Sequence, residues 1–115
     1  NLEINGIRER QKSSGVLITT PLGSYAWGKS CCNKPLPLNS KKYQFIVREP
    51  YEGKVYKDYK LKHTLLNKNQ KVTIFSEMPY GVLVADSLSR EYNLNKGDIA
   101  TINLSDKNIN AIWLE

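Results

Sequence analysis

Residues 13–27 read SSGVLITTPLGSYAW, and this stretch decides the fold. Its apolar, β-branched run at Val16–Thr19 predicts a buried strand. Pro21 biases the residue before it toward an extended backbone and therefore ends the strand. Gly23 permits an unusual turn, and Ser24 is of a type that caps helices. The sequence thus predicts a strand that turns sharply into a short helix.

Further strands are predicted on both sides of this corner. Asn95–Asp98 predicts a tight turn between strands Glu91–Leu94 and Ile99–Ile102, as part of a closing hairpin or meander. Residues 30–42 predict a proline-containing surface loop, and no helix of ordinary length is indicated outside Ser24–Cys31. We therefore predict a mainly β fold, a β-sandwich of two sheets with one short helix. Enrichment in β-branched and aromatic residues marks strands Tyr43–Val47, Lys71–Phe75 and Val82–Ala85. Alternation of apolar residues marks Leu2–Arg8, with a glycine interruption, and Ile109–Trp113.

Length and composition predict one folded domain over residues 1–115. Hydrophobic residues make up 40% and charged residues 24% of the chain, which is ordinary for globular proteins. The longest apolar runs are far shorter than the roughly 20 residues of a membrane helix, and no targeting signal is visible. Cys31 and Cys32 are adjacent, too close for an unstrained disulfide, so reduced thiols in a cytoplasm-like compartment are expected, with mitochondria or another organelle left open.

The charge balance favours an anionic partner. Lys and Arg total 17 against 11 for Asp and Glu, a net charge of +6. The segment Tyr51–Lys60 interleaves aromatic and cationic residues, as single-stranded nucleic-acid binders do on small β-barrels. A basic β-barrel nucleic-acid module is therefore one hypothesis, and an exposed hairpin face with tyrosines packed on the sheet is the alternative. His63 is the sole histidine and lies in a basic stretch that predicts a solvated face.

Three segments resemble the NAD kinase family. Ser13–Gly15 followed by Thr20–Trp27 is similar, without a gap, to the family's Gly-Asp-Gly, buried strand and Thr-Pro-Thr-Gly-Ser-Thr-Ala-Tyr. Arg10–Gly15, which reads Arg-Gln-Lys-Ser-Ser-Gly, looks like the mitochondrial-type branch. Arg48–Pro50 and Ala85–Ser87 follow in the order of that branch's Arg-Glu-Pro and Val-Asp-Gly. The resemblance spans residues 6 to 102 and is to the C-terminal domain of ATP-NAD kinases.

The resemblance implies that NAD is bound at the corner. Four positions depart from the family pattern: Ser14 replaces Asp, as in the mitochondrial-type branch, Leu22 and Tyr25 each replace a hydroxyl residue, and Trp27 replaces Tyr. Amides at the start of the helix are expected to attract negatively polarised oxygens. Arg48 and Asp86 are secondary candidates, and no catalytic or metal-binding residue is assigned. The implied substrate-binding residues are Ser14, Thr20, Leu22, Gly23, Ser24, Tyr25, Ala26 and Trp27.

The parent reaction implied by the resemblance moves the terminal phosphate of ATP, with Mg²⁺, to the ribose 2′-hydroxyl of NAD. The family's general base and phosphate-binding loop lie in a Gly-Gly-Asp-Gly-Thr motif of an N-terminal ATP-binding domain, which these residues lack. The isolated chain is therefore expected to be inactive, with the N-terminal kinase domain absent from it. A homodimer is the expected assembly, because family subunits share the NAD site. A degenerate, regulatory relative of the kinase is a further alternative.

Overall fold

A computed structural model describes residues 1–32, 34–55, 57–85 and 91–107. Within these ranges the chain is mainly β, which confirms the predicted fold class. The predicted strand at Ile109–Trp113 and the candidate Asp86 lie outside the described residues. The strands are β1 (Leu2–Ile4), β2 (Ile7–Glu9), β3 (Gly15–Thr19), β4 (Tyr43–Arg48), β5 (His63–Leu66), β6 (Val72–Phe75), β7 (Val82–Val84), β8 (Glu91–Asn93) and β9 (Ile99–Ile102), with a 3₁₀ turn at Gly23–Tyr25 and helix α1 at Trp27–Cys32.

The described strands form three antiparallel sheets, where the sequence predicted two. Their orders are β2-β1-β6-β9, β3-β4-β5 and the separate hairpin β7-β8. The first two sheets share one hydrophobic core, because alternate residues of each strand face the other sheet. The buried members of that core are Leu2, Ile4, Tyr43, Phe45, Val47, Leu61, Leu66 and Val72.

Strand β4 is buried on both faces from Tyr43 to Val47. Phe45 belongs to the core between the sheets, whereas Gln44 and Ile46 point to the opposite face. Helix α1 packs over β3 and β4. This double burial explains why β4 reads as a nearly continuous apolar run rather than an alternating one.

The glycine interruption predicted inside the first strand is a chain reversal. Asn5 and Gly6 have φ values of 52° and 78°, and β1 pairs with β2 directly across them. Positive φ at both central residues is the geometry that Asn-Gly favours in two-residue hairpins. The segment 2–9 is therefore a tight hairpin instead of one interrupted strand.

The predicted turn at Asn95–Asp98 forms, but the predicted hairpin around it is wrong. The Asp98 amide donates to the Asn95 carbonyl over 2.9 Å, and Gly97 has a φ of 93°. However, β8 pairs with β7 and β9 pairs with β6. Ser76 holds the turn on both sides: its amide donates to the Asp98 carbonyl, and its carbonyl accepts from the Gly97 amide, each over 2.9 Å. The turn therefore connects two sheets.

No helix in the described ranges has both the length and the apolar character needed to cross a lipid bilayer.

Candidate functional site

The corner after β3 uses its backbone amides internally. The Ser24, Tyr25 and Ala26 amides donate to carbonyls of residues 20, 22 and 23, over 2.9, 3.3 and 3.1 Å. The Gly23 amide donates to the Thr20 hydroxyl over 3.4 Å. These four amides are therefore already occupied, and the anion site expected at the start of the helix is not formed by them.

Ser24 is completely buried and clamps the following loop onto the corner. Its hydroxyl donates to the Pro21 carbonyl over 2.6 Å and accepts the Leu36 amide over 2.7 Å. The residue preceding the 3₁₀ turn is Leu22, and no side chain caps that turn, so the predicted capping role of Ser24 is wrong. The loop is also not wholly superficial, because Leu36 is buried. Ligand contact by Ser24 stays a prediction of the resemblance.

The remaining side chains of the corner are mostly presented to solvent. Leu22, Tyr25 and Trp27 are 44%, 49% and 56% exposed, which is unusual for three large hydrophobic residues so close in sequence. Gly23 is half-buried, whereas Thr20 and Ala26 are exposed. The corner therefore offers an apolar and aromatic surface with two hydroxyls, those of Thr20 and Tyr25.

Residues from two of the matching segments meet beside this surface. The Ser14 hydroxyl and amide both donate to the Arg48 carbonyl, each over 3.0 Å. The Arg48 guanidinium carbon lies 5.0 Å from the centre of the Trp27 ring, within the range of an attractive cation–π contact. The pairing of Gly15 with Arg48 between β3 and β4 brings these residues together. The structure thus joins three predicted site residues that lie far apart in sequence.

Helix α1 approaches β3 closely because residue 28 is glycine. A Cβ atom there would lie 3.2 Å from the Thr19 hydroxyl oxygen and 3.3 Å from the Gly23 carbonyl oxygen. These separations are tighter than normal van der Waals contact. Gly28 therefore permits this close approach of the helix start, next to Trp27.

The Tyr51–Lys60 segment is not a continuous aromatic face. Tyr59 is 8% exposed and its hydroxyl donates to the Tyr51 carbonyl over 2.6 Å, whereas Tyr51 is 55% exposed. Tyr56 lies outside the described residues. Nearby, Lys62 contacts Glu52 over 2.7 Å, and this hydrogen bond raises the pKa of Lys62. The described part of the segment therefore presents one exposed tyrosine, which gives little support to a long nucleic-acid platform.

His63 lies on β5, is exposed as predicted and does not join the site. Partial desolvation, with a smaller contribution from Lys34, lowers its pKa from 6.5. The folded chain therefore binds this proton less readily than the unfolded chain. Neutral His63 therefore contributes to the stability of the folded chain above pH 6.5. This contribution to the free energy of unfolding is lost as the pH falls through the folded-state pKa of His63.

We expect proton NMR of the sole histidine to give a titration midpoint below 6.5. The Lys34→Ala variant should move the midpoint upward, because it removes a nearby positive charge. A Lys41→Ala variant serves as the control. A midpoint at or above 6.5 in the folded protein would contradict the environment described for His63.

The described residues offer little else that suits a polar ligand. An apolar cleft of about 380 Å³ lies between β3 and the β7–β8 hairpin, but no ionisable side chain lines it. The described residues contain no group of three His, Cys, Asp or Glu side chains that could hold a metal ion. The corner with Ser14 and Arg48 is therefore the best candidate for binding a polar ligand.

Sequence reasoning missed one neighbouring pair. The Lys12 ammonium lies 5.5 Å from the centre of the Tyr51 ring. The Tyr51 amide donates to the Lys12 carbonyl, next to the hydrogen bond between the Ser14 amide and the Arg48 carbonyl. Lys12 lies within the Arg10–Gly15 motif, whereas Tyr51 directly follows Arg48–Pro50, so proximity to these motifs was the available signal.

Comparisons of the chain with protein-family models, with curated proteins and with solved structures found no match.

Proposed function

We propose that this chain is the NAD-binding β-domain of an NAD kinase-like phosphotransferase. In the parent reaction, the terminal phosphate of ATP is transferred, with Mg²⁺, to the ribose 2′-hydroxyl of NAD. The chain's part in that reaction is to bind and orient NAD. The proposal rests on the sequence resemblance and on one geometric observation.

That observation is the meeting of Ser14, Arg48 and Trp27 on one surface. Trp27 offers a wide ring on which a base can stack, and ring stacking contributes about 1–3 kcal/mol per base. Arg48 lies over the same ring and brings a cation suited to phosphate oxygens. Ser14 fixes the backbone from which Arg48 extends. A stacking ring beside a phosphate-binding cation is what a nucleotide requires.

The rest of the corner shapes this surface. Leu22 and Tyr25 extend it, while the buried Ser24 holds the backbone in place. Leu22 stands where the family has a hydroxyl residue. Loss of one hydrogen-bonding partner in a buried site costs about 1–3 kcal/mol. We therefore expect weaker selection for the substrate groups that this hydroxyl would contact, and preserved stacking at Trp27.

ATP and Mg²⁺ belong to the parent enzyme in this proposal. The described residues offer no three-ligand metal cluster, so no metal-dependent step is assigned to them. Phosphoryl transfer depends on positioning and charge stabilisation that a separate ATP-binding domain would supply. A homodimer, in which a second subunit completes the NAD pocket, is part of the proposal.

Isothermal titration calorimetry of the 115-residue chain with NAD tests this proposal. We expect saturable binding, and a loss of affinity of about tenfold or more in Trp27→Ala, because the stacking ring is removed. Tyr80→Ala is the matched control, since Tyr80 is 88% exposed in the turn before β7. NADP formation should require the full-length parent protein.

Absence of saturable NAD binding, or equal affinity of the Trp27→Ala variant and the parent chain, would refute the proposed NAD site. If the full-length protein binds NAD yet forms no NADP from ATP, the degenerate regulatory relative is the correct alternative. Salt-sensitive binding of oligonucleotides without NAD binding would instead identify a nucleic-acid module.

A further inference from the structure

The hairpin turn between β1 and β2 contains the chain's sole Asn-Gly pair, Asn5–Gly6. Both residues are exposed. In a two-residue hairpin the ladder hydrogen bonds are made by the residues that flank the turn, and here these are Ile4 and Ile7. The Gly6 amide therefore lies outside the ladder that joins the two strands.

The Gly6 amide nitrogen can reach the side chain of Asn5 through the covalent connectivity of the chain. Attack of this nitrogen on the Asn5 Cγ atom closes a five-membered ring. After most asparagines the side chain of the next residue hinders this attack, but residue 6 is glycine, and a Cβ atom there would meet nothing within 4 Å. The turn thus leaves open space around the attacking nitrogen.

A side chain of the neighbouring turn donates to the oxygen on which charge develops during this attack. The Gln70 Nε2 group donates to Asn5 Oδ1 over 3.0 Å. Addition of the nitrogen to Cγ converts the carbonyl oxygen into an oxyanion, and a donor that is already in place stabilises this oxyanion. Gln70 therefore occupies the position of an oxyanion-hole donor.

The donor end of Gln70 is directed at Asn5 by the turn between β5 and β6. Gln70 Oε1 accepts the Asn67 amide over 2.8 Å, and the Gln70 amide donates to the Asn67 carbonyl over 3.1 Å. The Tyr43 hydroxyl donates to the Gln70 carbonyl over 2.5 Å. Because Oε1 is already engaged by Asn67, the Nε2 end of the side chain faces Asn5.

We propose that Asn5 is a site of spontaneous covalent modification, deamidation, and that Gln70 promotes the reaction. The Gly6 nitrogen bonds to Asn5 Cγ and gives up its proton, the bond from Cγ to Nδ2 breaks, and ammonia leaves with that proton. Water then opens the cyclic imide: its hydroxyl adds to one of the two carbonyl carbons, and its proton returns to the Gly6 nitrogen. The product is aspartate or isoaspartate, according to which carbon is attacked. This inference is independent of the proposed function.

The two products differ in their effect on the hairpin. Aspartate leaves the backbone unchanged, whereas isoaspartate routes the main chain through its side chain and adds a methylene group to the turn. The pairing of Ile4 with Ile7 spans only two residues, and Ile4 is part of the core. We therefore expect the isoaspartate form to unfold at a lower temperature than the aspartate form.

Peptide mapping by mass spectrometry, after timed incubation of the 115-residue chain at mildly alkaline pH, tests the proposal. We expect Asn5 to be converted faster than Asn39 and Asn95, which are exposed asparagines that do not precede glycine. Gln70→Glu should slow the conversion of Asn5 about two- to tenfold, because it replaces the donor by a charged acceptor of the same size. Gln70→Ala should act in the same direction. In urea, where the turns are lost, the variants and the parent chain should react at equal rates.

An intact Asn5 in a sample whose Asn39 or Asn95 is converted would overturn the modification site. Equal rates at Asn5 in the parent chain and in both Gln70 variants, each shown to be folded by a thermal unfolding midpoint, would overturn the role of Gln70. A difference that persists in urea would also overturn that role, because it would not depend on the hydrogen bond between the two turns.

Discussion

Replacing Gly81 by alanine should lower the free energy of unfolding by about 3 kcal/mol, because two backbone segments would have to separate. A Cβ atom at residue 81 would overlap the Leu94 carbonyl oxygen and lie 3.3 Å from its carbonyl carbon. The Leu94 amide donates to the Gly81 carbonyl over 2.8 Å, so separation would also weaken this bond. The hairpin β7–β8 begins at this contact and would be displaced with it.

Urea unfolding of the Gly81→Ala variant measures this effect. Gly15→Ala is the matched control, because a Cβ atom at that glycine meets nothing within 4 Å. We expect the control to remain within about 1 kcal/mol of the parent chain, since alanine in place of a strand glycine usually stabilises slightly. Equal stabilities of the two variants would show that the Gly81–Leu94 approach is not as close as described.

Truncation of Phe45 to alanine should be at least as damaging, with a loss of about 3–5 kcal/mol. Phe45 is 0% exposed and lies in the core between the two larger sheets, on the central strand β4. The substitution removes most of a ring's burial and leaves a cavity that neighbouring strands cannot fill. Since domains of this size have total stabilities of about 5–15 kcal/mol, much of the folded population could be lost on warming.

The chain supplies its own control for this substitution, because it contains two phenylalanines. Phe75 is half-buried on β6, and the Arg8 guanidinium carbon lies 4.1 Å from its ring centre. Phe75→Ala should therefore cost clearly less than Phe45→Ala in the same urea unfolding experiment. A larger loss for Phe75→Ala would mean that the core is centred elsewhere.

Local sequence signals predicted where most strands lie. Which strands pair with one another was decided by contacts between residues distant in sequence. The β-branched runs that became β3, β4, β6 and β7 were recognisable without a partner. The partner of β8 was not, because a turn such as Asn95–Asp98 reverses the chain without specifying which strands then pair. The β7 strand and Ser76 provide the competing contacts. Such pairing depends on residues distant in sequence, which a local pattern does not encode.

Only part of the candidate site was predictable, because its remaining residues are brought together by contacts between distant segments. The motif at Thr20–Trp27 was visible as a continuous stretch. The position of Arg48 over Trp27 depends on the pairing of β3 with β4 and on the packing of α1 over both strands, which no local signal specifies. Ser24 was misassigned as a cap because its actual partner, the Leu36 amide, comes from a loop twelve residues away. The Lys12–Tyr51 pair was missed because its members are 39 residues apart.

The turn at Asn95–Asp98 determines where the chain tolerates engineering. Exposed turns are normally good places for an inserted reporter or for new termini made by circular permutation. This one is fastened to Ser76 through the Gly97 amide and the Asp98 carbonyl, and the Ser76 hydroxyl donates to the Leu94 carbonyl over 2.9 Å. An epitope tag spliced in here would pull the β7–β8 hairpin away from the sheet that contains β9, even though the tag itself would sit in water.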